Sequence, residues 1–207
     1  MDQKPPRNRI KQVRLLLWAL VALALVGTAA LLLLRRDDPD PPHVQTAVNA
    51  AIGGPFTLVG ADGRPFSSDR LSGKPYLIFF GFTRCGDVCP TTLARLVKLR
   101  REAASDQTLN ILFVTVDPQH DGPREVGQYA TLFDAPIIGL TGSQTQIDQV
   151  KKQYGIHAQP SAHPSPGKEM EHTGTVLLFD HNGRFVTTVG STESDSSAIA
   201  KIRSVIA

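Results

Sequence analysis

Cysteine is nearly absent from this sequence, which has two cysteines among 207 residues. The chain can close at most one internal disulfide, which excludes the disulfide-dense scaffolds typical of small secreted domains. Internal repeats are absent as well, which excludes solenoid and propeller arrays. The hydrophobic content of 41% and the charged content of 20% are ordinary for a globular protein. We therefore expect one globular domain with appendages.

An excess of basic charge is missing from most of the chain, although the formal net charge is +3. Residues 1–36 contain seven basic residues and one acidic residue, which gives a net charge of +6. The fifteen basic and eighteen acidic residues of the remainder give −3. The basicity belongs to the N-terminus, so we expect no nucleic-acid partner.

Charged residues are also missing from residues 15–34, an apolar stretch of 20 residues. A helix of this length spans about 30 Å, the thickness of a bilayer's hydrocarbon core. The stretch has no polar face and continues past the small residues that could mimic a cleavage site, so we expect an uncleaved transmembrane anchor. Five basic residues precede it and two follow it, which predicts that residues 1–14 lie in the cytoplasm.

The rest of the chain divides into a Pro-rich linker, residues 35–50, and a domain, residues 51–207. The acidic, Pro-rich start of the linker is typical of a solvated, semi-rigid spacer. In the domain, apolar runs alternate with segments of helical spacing, and an Asp-Gly pair between two short apolar runs predicts a hairpin. We predict strands at residues 75–82, 110–117, 136–142, 173–180 and 185–190, and helices at 90–104, 122–133, 143–155 and 195–207.

The two cysteines, Cys85 and Cys89, lie in the segment GFTRCGDVCPTTL, between a predicted buried strand and a predicted helix. A helix between two buried strands predicts a parallel pair with a right-handed crossover, to which the terminal hairpin adds antiparallel strands. This order predicts an α/β fold with a thioredoxin-like central mixed sheet flanked by helices, preceded by one N-terminal transmembrane helix.

The start of a helix favours thiolates, because its free N–H groups and dipole stabilise negative charge. Since the residue before a proline avoids helical geometry, we expect Cys89 to end the loop and not to enter the helix. The pair is compatible with a stabilising disulfide, a dithiol redox switch or a metal site with a third ligand. A disulfide would close a very small ring and add little stability through loop entropy.

His172 is the strongest candidate for a third ligand, because it precedes a predicted buried strand that would run beside the strand leading to the cysteines. Two thiolates and one imidazole form a soft donor set that suits Cu(I), whereas zinc would require a fourth ligand. Met170 is a further sulfur candidate nearby. The other histidines lie in the linker and in turn-like segments: His43, His120, His157, His163 and His181.

Three segments together resemble the Sco/SenC family of membrane-anchored copper proteins: FFGFTRCGDVCPTTL, FVTVDPQHDGP and MEHTGTVLLFDHNGR. The resemblance covers roughly residues 50–207 and implies a copper site formed by Cys85, Cys89 and His172, with Cu(I) as the ion and Cu(II) left open. It also implies a role in assembling the binuclear copper centre of cytochrome c oxidase, with the copper-bearing oxidase subunit and a copper donor protein as partners. The domain would face the periplasm from the inner membrane in a bacterium, or the intermembrane space in a mitochondrion.

Two main functions remain open. A copper metallochaperone, which is not a turnover enzyme, would use all three candidate ligands. A thiol–disulfide oxidoreductase would use Cys85 and Cys89 as a redox-active pair that forms a disulfide when oxidised, and would reduce cysteines of an oxidase subunit or another envelope protein. It would not need His172. A peroxidase requires one nucleophilic cysteine with a positioned arginine, and the motif around Arg84 does not otherwise fit that class.

Two positions depart from the usual motif of the family, since Arg84 stands in place of His or Tyr and Gly86 in place of Pro. We expect Gly86 to loosen the loop, and Arg84 to favour the Cys85 thiolate and to offset part of the −1 charge of a Cu(I)-dithiolate. Asp87 is expected to accept hydrogen bonds from loop N–H groups. Asp117 could orient a ligand, meet a partner or cap the DPQHDGP turn.

Overall fold

The computed structural model of the protein describes residues 7–34, 52–103 and 109–206, which belong to two compact units. The first unit contains helix α1 (Arg7–Leu34). Its segment Lys11–Thr28 has a mean hydropathy of 1.5 and exposed side chains, so the helix is long and apolar enough to cross a membrane. The expected linker and His43 lie outside the described residues.

The second unit has an α/β fold. Its strands are β1 (Thr57–Gly60), β2 (Pro65–Ser67), β3 (Tyr76–Gly81), β4 (Asn110–Thr115), β5 (Ile137–Thr141), β6 (Ala158–Pro160), β7 (Met170–His172), β8 (Val176–Phe179) and β9 (Phe185–Val189). Its helices are α2 (Val88–Ala103), α3 (Pro123–Ala130), α4 (Gln144–Gln153) and α5 (Asp195–Ile206).

Seven strands form one mixed sheet in the order β2-β1-β5-β4-β3-β8-β9. Strand β4 pairs in parallel with β3 and with β5, and the other pairs are antiparallel. Helix α2 packs against α5, whereas α3 packs against β5. The predicted thioredoxin-like order of elements is confirmed. The parallel strands at the centre of the sheet are the predicted hydrophobic runs, which are covered on both faces.

Strands β3, β4, β5, β8 and β9 fall within the predicted segments, and the predicted Asp-Gly hairpin joins β1 to β2. Residues 158–172, where no strand is predicted, contain a separate two-stranded hairpin formed by β6 and β7, with His163 between the two strands. The prediction for Cys89 was wrong, since α2 begins at Val88 and includes it. The Cys89 N–H donates to the sulfur of Cys85 at 3.3 Å, so this first turn is capped by a side chain despite Pro90.

A buried carboxylate anchors the loop that leads to the cysteines. Asp121 has no exposed surface, and its side chain accepts hydrogen bonds from the backbone N–H and hydroxyl of Thr83 and from the Thr115 hydroxyl. Its backbone carbonyl accepts a further bond from the Thr141 hydroxyl. The carboxylate therefore joins the end of β4 to the segment just before Cys85.

We expect Asp121→Ala to destabilise the fold by about 2–4 kcal/mol, because it leaves the part-buried donors of Thr83 and the buried hydroxyl of Thr115 without an acceptor. Urea unfolding followed by circular dichroism measures this change. Asp148→Ala is the matched control, because Asp148 pairs with Lys151 on the surface, where such pairs contribute about 0–1 kcal/mol. Equal unfolding midpoints for the two variants would contradict the anchoring role.

Candidate metal centre

Three side chains from separate elements converge at one end of the domain. Cys85 lies in the loop after β3, Cys89 in the first turn of α2, and His172 at the end of β7. Their two sulfurs and one imidazole nitrogen all lie within 4.8 Å of one another. Among the residues that the structure describes, this is the one group of three or more Cys, His, Asp or Glu side chains that could hold a metal ion. The group does not include His120, His157, His163 or His181.

The β6–β7 hairpin carries His172 to the cysteines. His172 pairs with Ala158 across the hairpin, and its Nδ1 lies 3.1 Å from the backbone carbonyl oxygen of Thr173. A carbonyl only accepts, so Nδ1 carries a proton, and Nε2 lies 3.5 Å from Cys89 Sγ. The rings of Phe79 and Phe82 meet the imidazole edge to face, with centroids at 6.1 and 5.9 Å.

The sulfur of Cys89 packs directly on the backbone of β3. An ideal Cβ at Gly81 would lie 2.9 Å from this sulfur and 3.0 Å from the ring of Phe113, so a side chain at this position would displace one of them. Cys89 is fully buried, whereas Cys85 is half-buried. One cysteine is therefore held inside the core, and the other lies closer to the surface.

The two cysteines have opposite electrostatic environments. The pKa of Cys85 is lowered to about 4, first by the hydrogen bond from Cys89 and then by His172 and the backbone N–H groups of Cys89 and Asp87, against the opposing effect of burial. The pKa of Cys89 is raised, first by its hydrogen bond to Cys85 and then by burial. The metal-free reduced pair therefore consists of one thiolate and one thiol.

Arg84 has two acidic partners that the sequence did not predict. Its guanidinium donates to Asp117 at 2.7 Å and lies 3.8 Å from Glu169, so two negatively charged carboxylates neutralise its positive charge. The larger causes of the lowered Cys85 pKa are the hydrogen bonds to that sulfur. Asp117 also lies 2.9 Å from His120 Nδ1, and its backbone carbonyl accepts the His120 N–H. Asp117 therefore both closes its own turn and ties that turn to the cysteine loop.

Gly86, Asp87 and Met170, which lie near the two cysteines or His172 in sequence, make contacts that the sequence did not predict. The Gly86 N–H donates to the carbonyl of Gly167 at 3.1 Å, so the loop is fastened at the residue expected to loosen it. Asp87 acts through its backbone, whose carbonyl accepts the Thr91 N–H at 3.2 Å. Met170, the further sulfur candidate, packs against the hydrophobic core.

Comparison with known proteins gives a family match over most of the chain. A profile of the SCO1/SenC family matches residues 44–207. The chain belongs to the SCO1/SenC family. It is 33% identical to the mitochondrial protein SCO2 of Saccharomyces cerevisiae, over 99% of this chain and 71% of that protein. It is 35% identical to an SCO2-like protein of Rickettsia conorii, over 81% of this chain and 85% of that protein.

A solved Sco structure shares the fold and holds copper. Copper-bound ScoI of Bradyrhizobium japonicum superposes with a TM-score of 0.67 and 35% identity, over 75% of this chain and all of that chain. The copper-bound yeast Sco1 structure superposes with a TM-score of 0.66 and 32% identity, over 73% of this chain and 86% of that chain. Related Sco proteins thus bind copper on the fold described here.

Sequence analysis missed Asp121 and Gly167. Hydroxyls at the ends of buried strands require an acceptor, and Thr83, Thr115 and Thr141 follow or end such strands. That requirement was the available signal for a buried carboxylate nearby. Gly167 had no comparable signal, because glycine is common in loops and its contact with Gly86 spans 81 positions.

In the metal-free reduced protein we expect iodoacetamide to modify Cys85 well before Cys89. Cys85 is half-exposed and already a thiolate, and its rate should stay nearly constant as the pH falls from 8 to 5, until the pH approaches its pKa of about 4. Mass spectrometry of peptides from timed reactions measures both rates. In urea the two cysteines should react alike, and faster modification of Cys89 in the folded protein would contradict the assignment.

Proposed function

We propose that this protein binds Cu(I) through Cys85, Cys89 and His172 and delivers it to the binuclear copper centre of cytochrome c oxidase. The observation that supports this most is the convergence of two sulfurs and one imidazole nitrogen within 4.8 Å. Soft thiolates favour Cu(I) over harder ions, and three donors suffice for it. The copper-bound ScoI and Sco1 structures support copper as the metal.

The exposure of the site suits transfer as well as binding. Cys85 is half-buried, so ligands of a second protein can reach an ion from its side, while Cys89 is closed off in the core. Copper would arrive from a donor protein and leave to the copper-bearing oxidase subunit by exchange of ligands, with all thiols still reduced. Copper is thus cargo, and the protein does not turn over a substrate chemically.

The proposed organisation follows from α1. Residues 15–34 would anchor the chain, with residues 1–14 in the cytoplasm, residues 35–50 as a spacer, and residues 51–207 in the periplasm or the intermembrane space.

A periplasm-dependent reporter fused after Ala207 in a bacterial host should be active. Activity of a cytoplasm-dependent reporter at the same position would reverse the orientation.

The asymmetric thiols favour thiol–disulfide exchange as a second candidate function. The Cys85 thiolate would attack a partner disulfide and release one partner thiolate, which takes up a proton. Cys89 would then lose its proton and attack the mixed disulfide. The products are a Cys85–Cys89 disulfide and a reduced partner dithiol, with two electrons transferred. The lowered pKa of Cys85 beside a buried second thiol is the observation that favours this chemistry.

The reduced protein is expected to bind one Cu(I) per chain. Cys85→Ser and Cys89→Ser should each weaken binding by more than the roughly 10–100-fold typical for loss of an outer-shell partner, because a hydroxyl is a much harder donor than a thiolate. His172→Ala should weaken binding and leave two sulfur ligands. Competition titration and X-ray absorption measure both effects, with His181→Ala as control. A spectrum unchanged by His172→Ala would remove the histidine from the site.

Transfer distinguishes the two functions. Cu(I)-loaded protein, mixed with the metal-free, reduced copper-bearing domain of the oxidase subunit, should pass its copper on while the thiol count of both proteins stays constant. A parallel mixture uses metal-free reduced protein and the oxidised domain. If copper stays in place in the first mixture, and thiols move to the oxidase domain in the second equally well with His172→Ala, thiol–disulfide exchange replaces copper delivery as the function.

A further inference from the structure

Two glycines join the cysteine loop to the hairpin that carries His172. The Gly86 N–H donates to the carbonyl oxygen of Gly167 at 3.1 Å. An ideal Cβ on Gly167 would lie 2.8 Å from the nitrogen and 2.9 Å from the Cα of Gly86. These are backbone atoms that no rotamer change can move. The two loops can therefore approach this closely because residue 167 has no side chain.

The contact is asymmetric. An ideal Cβ on Gly86 would lie 3.4 Å from the Cα of Gly167, which is ordinary van der Waals contact. Gly167 also has a φ of +81°, in the left-handed region that favours glycine. The same added methyl group is thus tolerated at residue 86 and excluded at residue 167. Gly86→Ala is therefore a control for Gly167→Ala, because it adds the same methyl group without the close contact.

The tip of the hairpin transmits its position to His172. Strands β6 and β7 form a sheet of their own, so hydrogen bonds from the seven-stranded sheet do not fix the histidine. The tip is internally braced, since Ser161 N–H donates to the carbonyl of Glu169 and Lys168 N–H to that of Ser165, both at 2.8 Å. A displacement of the tip is therefore transmitted through the hydrogen bonds of the short hairpin to the imidazole of His172.

A charged contact reinforces the glycine pair. The guanidinium of Arg84, on the cysteine loop, lies 3.8 Å from Glu169 Oε1 on the hairpin. The other carboxylate oxygen, Oε2, is buried and has no hydrogen-bond partner among the described residues. This arrangement keeps Glu169 against the cysteine loop through attraction to Arg84, next to the point where Gly167 meets Gly86.

We propose that the Gly86–Gly167 contact sets the distance between the imidazole of His172 and the two sulfurs, which makes Gly167 a positioning residue for the third ligand. This inference rests on the proposed function, in which His172 binds Cu(I). It assigns the glycine pair a role in setting the number of donors: with the contact intact the site has three donors, and without it the site has two.

Gly167→Ala in the full-length, reduced, detergent-purified protein tests this inference. Cu(I) affinity should fall about 10–100-fold, the range typical for loss of an outer-shell partner, and the X-ray absorption spectrum should lose its nitrogen scatterer while keeping two sulfurs. Gly86→Ala should bind as the parent protein does. So should Gly183→Ala, which imposes similar backbone strain at a φ of +71° with no atom within 4 Å.

A double substitution separates positioning from general damage. In a His172→Ala background, Gly167→Ala should cause no further loss of Cu(I) affinity, because the ligand that it positions is already gone. A further loss of the same size as in the parent protein would overturn the proposal. If Gly167→Ala does not fold, as judged by circular dichroism, the exchange rate of the Gly86 amide in the parent protein takes its place as the test, and an unprotected amide would overturn the proposal.

Hydrogen exchange provides a readout without copper. In the reduced, metal-free parent protein the Gly86 amide should be protected, and Gly167→Ala should accelerate its exchange at least tenfold while the amides of β3 and β4 remain protected. An unprotected Gly86 amide in the parent protein would overturn the contact itself. Absence of Cu(I) binding in the parent protein would instead overturn the proposed function, and the exchange result would still decide whether the contact exists.

Discussion

Burial of β3 on both faces is the constraint on which the rest of the domain depends. All six residues of this strand are buried, and it pairs with β4 from Tyr76 opposite Asn110 to Gly81 opposite Thr115. The two parallel strands therefore end side by side, and the Val116 N–H donates to the carbonyl of Gly81 at 2.7 Å. The cysteine loop and the turn that holds Asp121 begin at neighbouring points for this reason.

Their shared hydrogen bond and their different burial separate the two cysteines chemically. Cys89 is pressed against Gly81 and has no exposed surface, so its charged form is disfavoured. Cys85 stands above it and receives the hydrogen bonds that stabilise a thiolate. One thiol is consequently poised to meet other molecules, and the other is kept where solvent and oxidants have little access. Both proposed functions use this difference.

The loops around the site are held by polar contacts between elements distant in sequence. Arg84 reaches Asp117, Asp121 holds Thr83, and Gly86 donates to Gly167. Two of these contacts join the cysteine loop to the turn after β4, and the third joins it to the tip of the β6–β7 hairpin, so the site is a meeting point of three loops and not a feature of one. Contacts of this kind, at the edge of a rigid sheet, allow a site to be positioned by a stable core while remaining exposed.

Local patterns were sufficient for the central strands, for α4, and for the position of Cys85 and Cys89 at a strand-to-helix junction. Hydrophobic periodicity and capping residues act over a few positions, so these elements were predictable. His172 could be selected because it precedes a buried strand. The start of α2 at Val88, the β6–β7 hairpin, the partner of Arg84 and the roles of Asp121 and Gly167 were decided by the tertiary structure. Each depends on atoms that approach one another only after distant loops meet, and such distances leave no periodic trace in the sequence.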